Sequence, residues 1–182
     1  MPVASLSCRR VLRIGGSMPK HHGSTETVEK TNAMRILDAA GVSYRVHPYE
    51  ENQSLTGVEV ARLIGHDPDS FFKTLVTRAK DGSCFVFMVP VACELDLKKA
   101  ARAAGEKSLS MLKARDLLPT TGYVHGGCSP IGMKKAFPMF IDETAELYDV
   151  IACSAGRIGC AMDIRFDDLR RMTGVFAYDI TA

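Results

Sequence analysis

No charge of one sign dominates this chain. Lysine and arginine number 23 against 21 aspartates and glutamates, a formal net charge of +2 over 182 residues. That excludes a strongly basic nucleic-acid coat and a polyanionic tail. The small surplus sits at the start. Residues 1–30 carry Arg9, Arg10, Arg13, Lys20 and Lys30 against Glu26 and Glu29, a local +3, and the remainder of the chain is −1. Nucleic-acid contact by that remainder needs a local patch, because no salt-driven field covers its surface. No window approaches the roughly 20 unbroken apolar residues of a membrane-spanning helix, so a soluble protein without a membrane partner is expected. None of Cys8, Cys84, Cys93, Cys128, Cys153 and Cys160 forms a C-x-x-C pair, and no histidine stands at zinc-ligand spacing from a cysteine pair. Neither a metal site nor a cofactor is expected. No apolar stretch follows the early arginines, so no secretory signal is read. The cysteines then read as reduced thiols of a cytoplasmic protein.

Apolar residues make up 46% of the chain, enough for a packed core, and the length fits one domain. Residues 1–29, rich in Gly, Ser, Thr, Pro and Arg without apolar periodicity, read as a flexible extension. Residues 30–182 read as the folded domain. Thr31 or Asn32 caps a first helix whose inner face is Met34, Leu37 and Ile36 or Ala40, stopped at Gly41. Val42, Tyr44 and Val46 alternate as a half-buried strand. Thr56 and Glu59 form a capping box, with Val60, Leu63 and Ile64 on one face of the helix that follows. Phe72 to Ala79 and Cys84 to Val89 make a hairpin around Asp81-Gly82. Asp96 caps a helix from Leu97 to Ala104, and a further helix covers Leu112 to Leu118, ended by Pro119. Strands are expected at Gly122 to His125, Pro138 to Ile141, Tyr148 to Cys153, Gly159 to Arg165 and Val175 to Ile180, with a short helix from Asp167 to Met172. No repeat is visible and strict βαβ alternation is absent, which disfavours a doubly wound parallel sheet. The expected class is α/β (α+β): a mixed, largely antiparallel sheet, curled or closed as a β-barrel, with short helices around it.

Three segments carry candidate chemistry. Gly126-Gly127-Cys128-Ser129-Pro130-Ile131-Gly132 packs three glycines and a proline into seven residues. Its N–H groups suit a carbonyl oxygen or an anion, and it reads equally as a plain tight turn. Lys73, set between Phe72 and Thr74-Leu75, suits a point-charge donor. In isolation it reads first as a lysine snorkelling to the surface. His47-Pro48-Tyr49-Glu50 reads first as a polar strand end, and acid–base chemistry is the sharper alternative. Cys128 beside His125 is tempting as a nucleophile, but no Cys–His–Asx order supports it. Lys98 and Arg102 share one helix face, most simply a solvated one.

Taken together, His47 and Tyr49-Glu50, Phe72-Lys73-Thr74-Leu75, Pro90-Val91-Ala92, Leu95-Asp96-Leu97-Lys98-Lys99, Thr121-Gly122-Tyr123, Gly126-Gly127, Ser129-Pro130 with Gly132, Lys134-Lys135 and Ile141-Asp142 stand in the order and spacing of a known family. Over about residues 30–180 the chain resembles the YbaK/EbsC family of aminoacyl-tRNA deacylases, whose module also occurs as the editing insertion of bacterial prolyl-tRNA synthetases. The resemblance implies a central mixed β-barrel ringed by helices. It implies an enzyme that removes cysteine from mischarged Cys-tRNA(Pro), with Cys-tRNA(Cys) as a further candidate substrate, acting on the tRNA 3′ end in company with a prolyl-tRNA synthetase and without metal or cofactor. Removal of alanine from tRNA(Pro) by water, or a non-catalytic synthetase- or nucleotide-binding module of the same fold, are the alternatives. The family's essential lysine matches Lys73, its Gly-x-x-x-Pro loop matches Gly126 to Pro130, its tyrosine Tyr49 and its aspartate Asp142. Thr74 and Ser129 match as lining residues. By this resemblance Lys73 holds the substrate and the 3′-terminal nucleotide, and N–H groups around Gly127 orient the aminoacyl group and steady an oxyanion. Tyr49 and Asp142 shape the pocket. The chain departs from the family at Cys128, where an apolar Ile is typical, and at Cys93, where a small residue is expected.

Overall fold

The computed structural model describes residues 29–50 and 55–182; the extension read over 1–29 lies, but for Glu29, outside the described residues. In chain order the elements are α1 (Asn32–Ala39), β1 (Tyr44–Pro48), α2 (Gly57–Leu63), β2 (Phe72–Ala79), β3 (Cys84–Pro90), α3 (Leu97–Ala103) and β4 (Leu109–Met111). Then come α4 (Ala114–Thr121), β5 (Met139–Asp142), a 3-10 turn (Glu143–Leu147), β6 (Val150–Arg157), β7 (Cys160–Arg165), α5 (Phe166–Thr173) and β8 (Phe176–Tyr178).

The strands form two sheets, ordered β1-β7-β6 and β4-β2-β3-β5-β8. Both neighbours of β7 and both neighbours of β2 run antiparallel, whereas β3-β5 and β5-β8 are parallel. The mixed, largely antiparallel character is as expected. The closed barrel is not. The sheets meet at one bridge, Phe71 to Ala152, and the five-stranded sheet ends in the three-residue strands β4 and β8. The cause is the path of β2. It touches β6 at Phe71 and at once turns into its long pairing with β3, from Phe72–Pro90 to Arg78–Cys84, so no continuous ladder closes the ring.

Three packed groups of side chains follow from this layout. α1 and α5 lay Met34, Leu37 and Leu169 against Phe72, Val86, Met88, Ile151 and Met162. α3 covers the opposite face of the five-stranded sheet, where Ala100 and Ala101 meet Phe87, Val89 and Phe140. β3 therefore feeds alternate residues to two cores, which is why it reads as an unbroken apolar run. α2 packs Val60 and Ala61 on Phe71, Val91, Ala152 and Ala161, over the junction of the sheets.

Local chemistry sets the helix starts. Thr31, Thr56 and Asp96 cap α1, α2 and α3 as expected. Other expectations fail for identifiable reasons. α2 has only seven residues, so Leu63 in its last turn is exposed and Ala61 takes the buried place. Pro119 lies inside α4, where it removes one N–H, and the helix runs on to Thr121 and stops at Gly122 in the left-handed conformation. The strand expected over Gly122 to His125 is therefore a helix stop and a turn, with Val124 exposed. β6 continues through Arg157, past the Cys153 end expected for that strand.

Thr31 joins cap to sheet. Its Oγ1 accepts the N–H of Met34 at 3.2 Å and donates to the carbonyl of Ala155 on β6. Thr31→Ala removes both bonds and should cost about 1–2 kcal/mol in chemical denaturation. Thr31→Ser, which keeps the hydroxyl, should retain most of the stability.

Candidate active site

At the junction of the sheets lies a cavity of about 320 Å³, within the range of small-molecule sites. Its floor is the start of β2, Phe71 to Leu75. One wall is α2 with its cap, Thr56, Gly57 and Val60, backed by Val91. Tyr49 and Leu55 stand at one side, Ser154, Cys160 and Ala161 at another, and His125, Gly126 and Cys128 bring in the glycine loop. The lining is mostly apolar, with polar groups at few points.

Of the residues matched from sequence, Lys73, Thr74, Tyr49 and Gly126 come together on this cavity. Lys73 follows the buried Phe71 and Phe72. Its Nζ donates to Glu94 Oε1 at 2.8 Å, from a lysine side chain 27% exposed to a carboxylate 81% exposed. An ion pair with so exposed a partner contributes roughly 0–1 kcal/mol, so the ammonium exchanges Glu94 for another anion at little cost. Thr74 Oγ1 is buried and has no hydrogen-bond partner among the described residues, a state that costs about 1–3 kcal/mol unless something completes it. Tyr49 is anchored through its backbone N–H, which donates to the Gly159 carbonyl at 2.9 Å.

Gly127, Ser129 and Pro130 form the scaffold behind the cavity wall. Gly126 has φ +80°, a conformation that favours glycine. The Gly127 N–H donates to the Val124 carbonyl at 3.1 Å, closing the turn. A Cβ on Gly127 would stand 3.0 Å from Arg157 C and from Ile158 N, so the loop rests on the β6–β7 turn backbone to backbone. Ser129 is fully buried, and its Oγ accepts the Ile131 N–H at 3.3 Å. The Tyr123 hydroxyl donates to the Ile131 carbonyl from beneath. Pro130 lines a separate depression with Ile36 and Met133.

Asp142, at the end of β5, is buried and serves the backbone. Oδ1 accepts the Thr144 N–H at 3.2 Å and its hydroxyl at 2.7 Å, and Oδ2 accepts the Ile180 N–H at 3.3 Å. It does not line the cavity. Burial first, then the Asp69 and Asp142 carboxylates, push the Cys93 thiol up, while the Lys73 ammonium pulls it down. Burial pushes the Cys128 thiol up to about 12, so it stays protonated near neutral pH and is no activated nucleophile.

Sequence reading missed Ser154 and Cys160, which β6 and β7 deliver from far along the chain, and the wall supplied by α2. The Thr56 capping box was the available signal for the position of α2. It missed a second assembly altogether: His47 and Asp163 on the β1–β7 pair meet His66 just past α2. Of the basic groups along α3 and the later loop, Lys99 bonds Asp179 and the Thr181 carbonyl, both at 2.7 Å, and Lys134 bonds the Leu118 carbonyl at 3.3 Å. No helix among the described residues is long and apolar enough to cross a membrane.

Comparison with known proteins places this geometry in context. A family model described as the aminoacyl-tRNA editing domain matches residues 51–172. An Enterococcus faecalis protein named "Putative Cys-tRNA(Pro)/Cys-tRNA(Cys) deacylase EbsC" is 41% identical over 154 residues, 84% of this chain and 94% of that protein. A crystal structure described as "a putative trans-editing enzyme for prolyl tRNA synthetase" superposes with a TM-score of 0.75 at 24% identity, over 85% of this chain and 99% of the other. A protein described as hypothetical superposes with a TM-score of 0.75 at 20% identity, over 84% of this chain and all of the other. At these identities the two structures show a shared fold.

The contact beneath the glycine loop can be tested directly. Gly127→Ala should push the loop off Arg157 and Ile158, lowering stability by about 1–3 kcal/mol. It should also speed the reaction of Cys128 with a thiol reagent, read by mass spectrometry of the labelled peptide.

Proposed function

The chain belongs to the aminoacyl-tRNA editing domain family, and on that premise we propose that it removes cysteine from mischarged Cys-tRNA(Pro). The observation that carries the reading is the cavity itself. A small, mostly apolar chamber has a weakly held ammonium, Lys73, and an unpartnered hydroxyl, Thr74, on its floor. A prolyl-tRNA synthetase pocket rejects an amino acid of similar size only weakly, and a second hydrolytic site is the physical remedy.

In this reading the Lys73 ammonium leaves Glu94 for the terminal nucleotide or the aminoacyl carbonyl, and Thr74 gains its missing partner on the same group. The nucleophile is the thiol of the bound cysteinyl group. Its sulfur attacks the ester carbonyl and the bond to the ribose oxygen breaks. The thiol proton goes to that oxygen, leaving cysteine thiolactone and free tRNA, and water then opens the thiolactone to cysteine. An intramolecular attack has a high effective molarity, so positioning and charge stabilisation are the main contributions asked of the protein. The Gly127 N–H is engaged by Val124. Gly127 therefore serves this reading as the support of Gly126, with oxyanion donors drawn from Lys73 and Thr74. Ser129, Pro130 and Asp142 hold the site's backbone, and Tyr49 shapes its mouth. Residues 31–182 carry a net charge of −1, which favours action beside a prolyl-tRNA synthetase that presents the tRNA. That setting is cytoplasmic.

His125 on the cavity wall favours one second reading, in which an imidazole activates water against Ala-tRNA(Pro). Deacylation assays on Cys-, Ala- and Pro-tRNA(Pro) separate the two. Wild type should release cysteine alone, and Lys73→Ala should slow that release about 100-fold or more. Cys128→Ala should leave it essentially unchanged. Release of alanine, abolished by His125→Ala, would establish the water reading instead. No release of any amino acid by the folded protein would favour a binding module.

A further inference from the structure

His47 on β1, Asp163 on β7 and His66, just beyond α2, converge beside the cavity without lining it. In the strand register His47 stands opposite Ala161, so Asp163, two residues further along β7, shares its face of the sheet. The His66 N–H donates to the Ala61 carbonyl at 2.8 Å, which closes α2 and sets His66 over the strand pair. His47 Nε2 lies 2.8 Å from Asp163 Oδ2, and His66 Nε2 lies 2.8 Å from Asp163 Oδ1. The three side chains are only 13%, 19% and 15% exposed in the order His47, His66, Asp163. One ligand atom from each lies within 4.8 Å of the other two.

Short distances alone describe an ordinary His–Asp–His hydrogen-bond chain. The directions do not. His47 Nε2 and Asp163 Oδ1 are buried and make no hydrogen bond to any described residue, although each has an oppositely polar atom at 2.8 Å. Such contacts fail on angle, not on length. The imidazole rings stand at 82° to each other with centroids 5.3 Å apart, edge to face, which brings two nitrogens to one carboxylate from different sides. Two imidazole nitrogens and one carboxylate, largely shielded and incompletely satisfied, form a donor set that a cation completes.

We propose that His47, His66 and Asp163 bind one divalent transition-metal ion, Zn2+ foremost, with water in the fourth position. Two nitrogens and one oxygen suit the tetrahedral preference of zinc. Calcium takes six to eight oxygens and magnesium an octahedral, oxygen-rich shell, which this set does not offer. The groove that His47 lines, with Glu50 and Glu59 also on its walls, gives a cation an approach of favourable charge. Bound there, the ion clamps the end of α2 to the β1–β7 pair. Thr56, Gly57 and Val60 of α2 and its cap form a cavity wall, so the clamp positions that wall without touching the reacting groups.

The test uses the full chain, stripped with chelator and titrated with ZnCl2 by calorimetry, alongside CoCl2 followed by visible absorption. One Zn2+ per chain is expected, together with a rise in melting temperature. The Co2+ complex should show tetrahedral ligand-field bands without the intense thiolate-to-cobalt band of a cysteine site. His66→Ala and Asp163→Asn should each weaken Zn2+ binding at least about tenfold and abolish the thermal gain. Cys84→Ser and Cys93→Ser should bind as wild type. Should His66→Ala fail to fold, by circular dichroism, the near-isosteric Asp163→Asn decides. Absence of stoichiometric binding by wild type, a thiolate signature, or unchanged binding by folded Asp163→Asn would overturn the site and leave a proton-linked His–Asp–His chain.

Discussion

Everything in this fold that bears on the cavity depends on how β2 begins. The Ser70 carbonyl accepts the Ala152 N–H of β6 at 2.9 Å, and one residue later the Phe71 carbonyl accepts the Val91 N–H just past β3 at 2.7 Å. Two successive carbonyls thus tie one strand start to both sheets. Phe71 and Phe72 are buried around that knot, Phe71 beneath α2 and Phe72 in the main core. The next two residues, Lys73 and Thr74, are delivered to the cavity by a backbone with little freedom to move. A lysine on a flexible loop would lose conformational entropy on each engagement. Here much of that ordering is complete before a substrate arrives.

The glycine loop solves a complementary problem. It must bring backbone to the cavity, yet it belongs to neither sheet. Gly127 rests on the β6–β7 turn backbone to backbone, and the side chains of Tyr123 and Ser129 bond the loop to itself. Four of the residues matched to the family by sequence, Gly127, Ser129, Pro130 and Asp142, do not line the cavity. Residue types that persist in order and spacing mark an architecture as much as a set of contacting groups. The spacing alone does not separate the residue that faces the cavity from the one that holds it in place.

This also explains what was legible in the chain. Thr31, Thr56 and Asp96 announce their helices because capping is local chemistry between residues three apart. The β2–β3 hairpin is legible through Asp81-Gly82 and the β-prone runs on either side. Open or closed sheet is not local: it depends on whether β2 continues beside β6 or leaves it after Phe71, a choice made by long-range pairing. β4, three residues long, is too short for a period to show, whereas β8 falls inside the strand expected over Val175 to Ile180. Gly122 to His125 misled because β-prone residues there follow a helix that tolerates Pro119 near its end. Lys73 and Gly126 stood out through the ordered set of residues that resembles the family, since by their neighbours alone one reads first as a surface lysine and the other equally as part of a tight turn. Ser154 and Cys160 did not, since β6 and β7 carry them in among apolar positions that read simply as core.

The His47–His66–Asp163 assembly shows the same limit from the other side. Zinc spacing in sequence is a property of sites built on one local motif; three ligands from a strand, a helix end and a second strand have no such signature. Their convergence needs the β1–β7 register and the short α2 together. The cavity needs those same two features, since Tyr49 follows β1 and Val60 lies on α2. A device that fixes α2 against β1–β7 therefore acts on the shape of the cavity by construction. α2 itself offers little of its own to do so: seven residues, with Val60 and Ala61 as its buried contribution. A helix this short does not hold its place by intrinsic propensity. A cap at one end and a three-point anchor just past the other are what its position calls for.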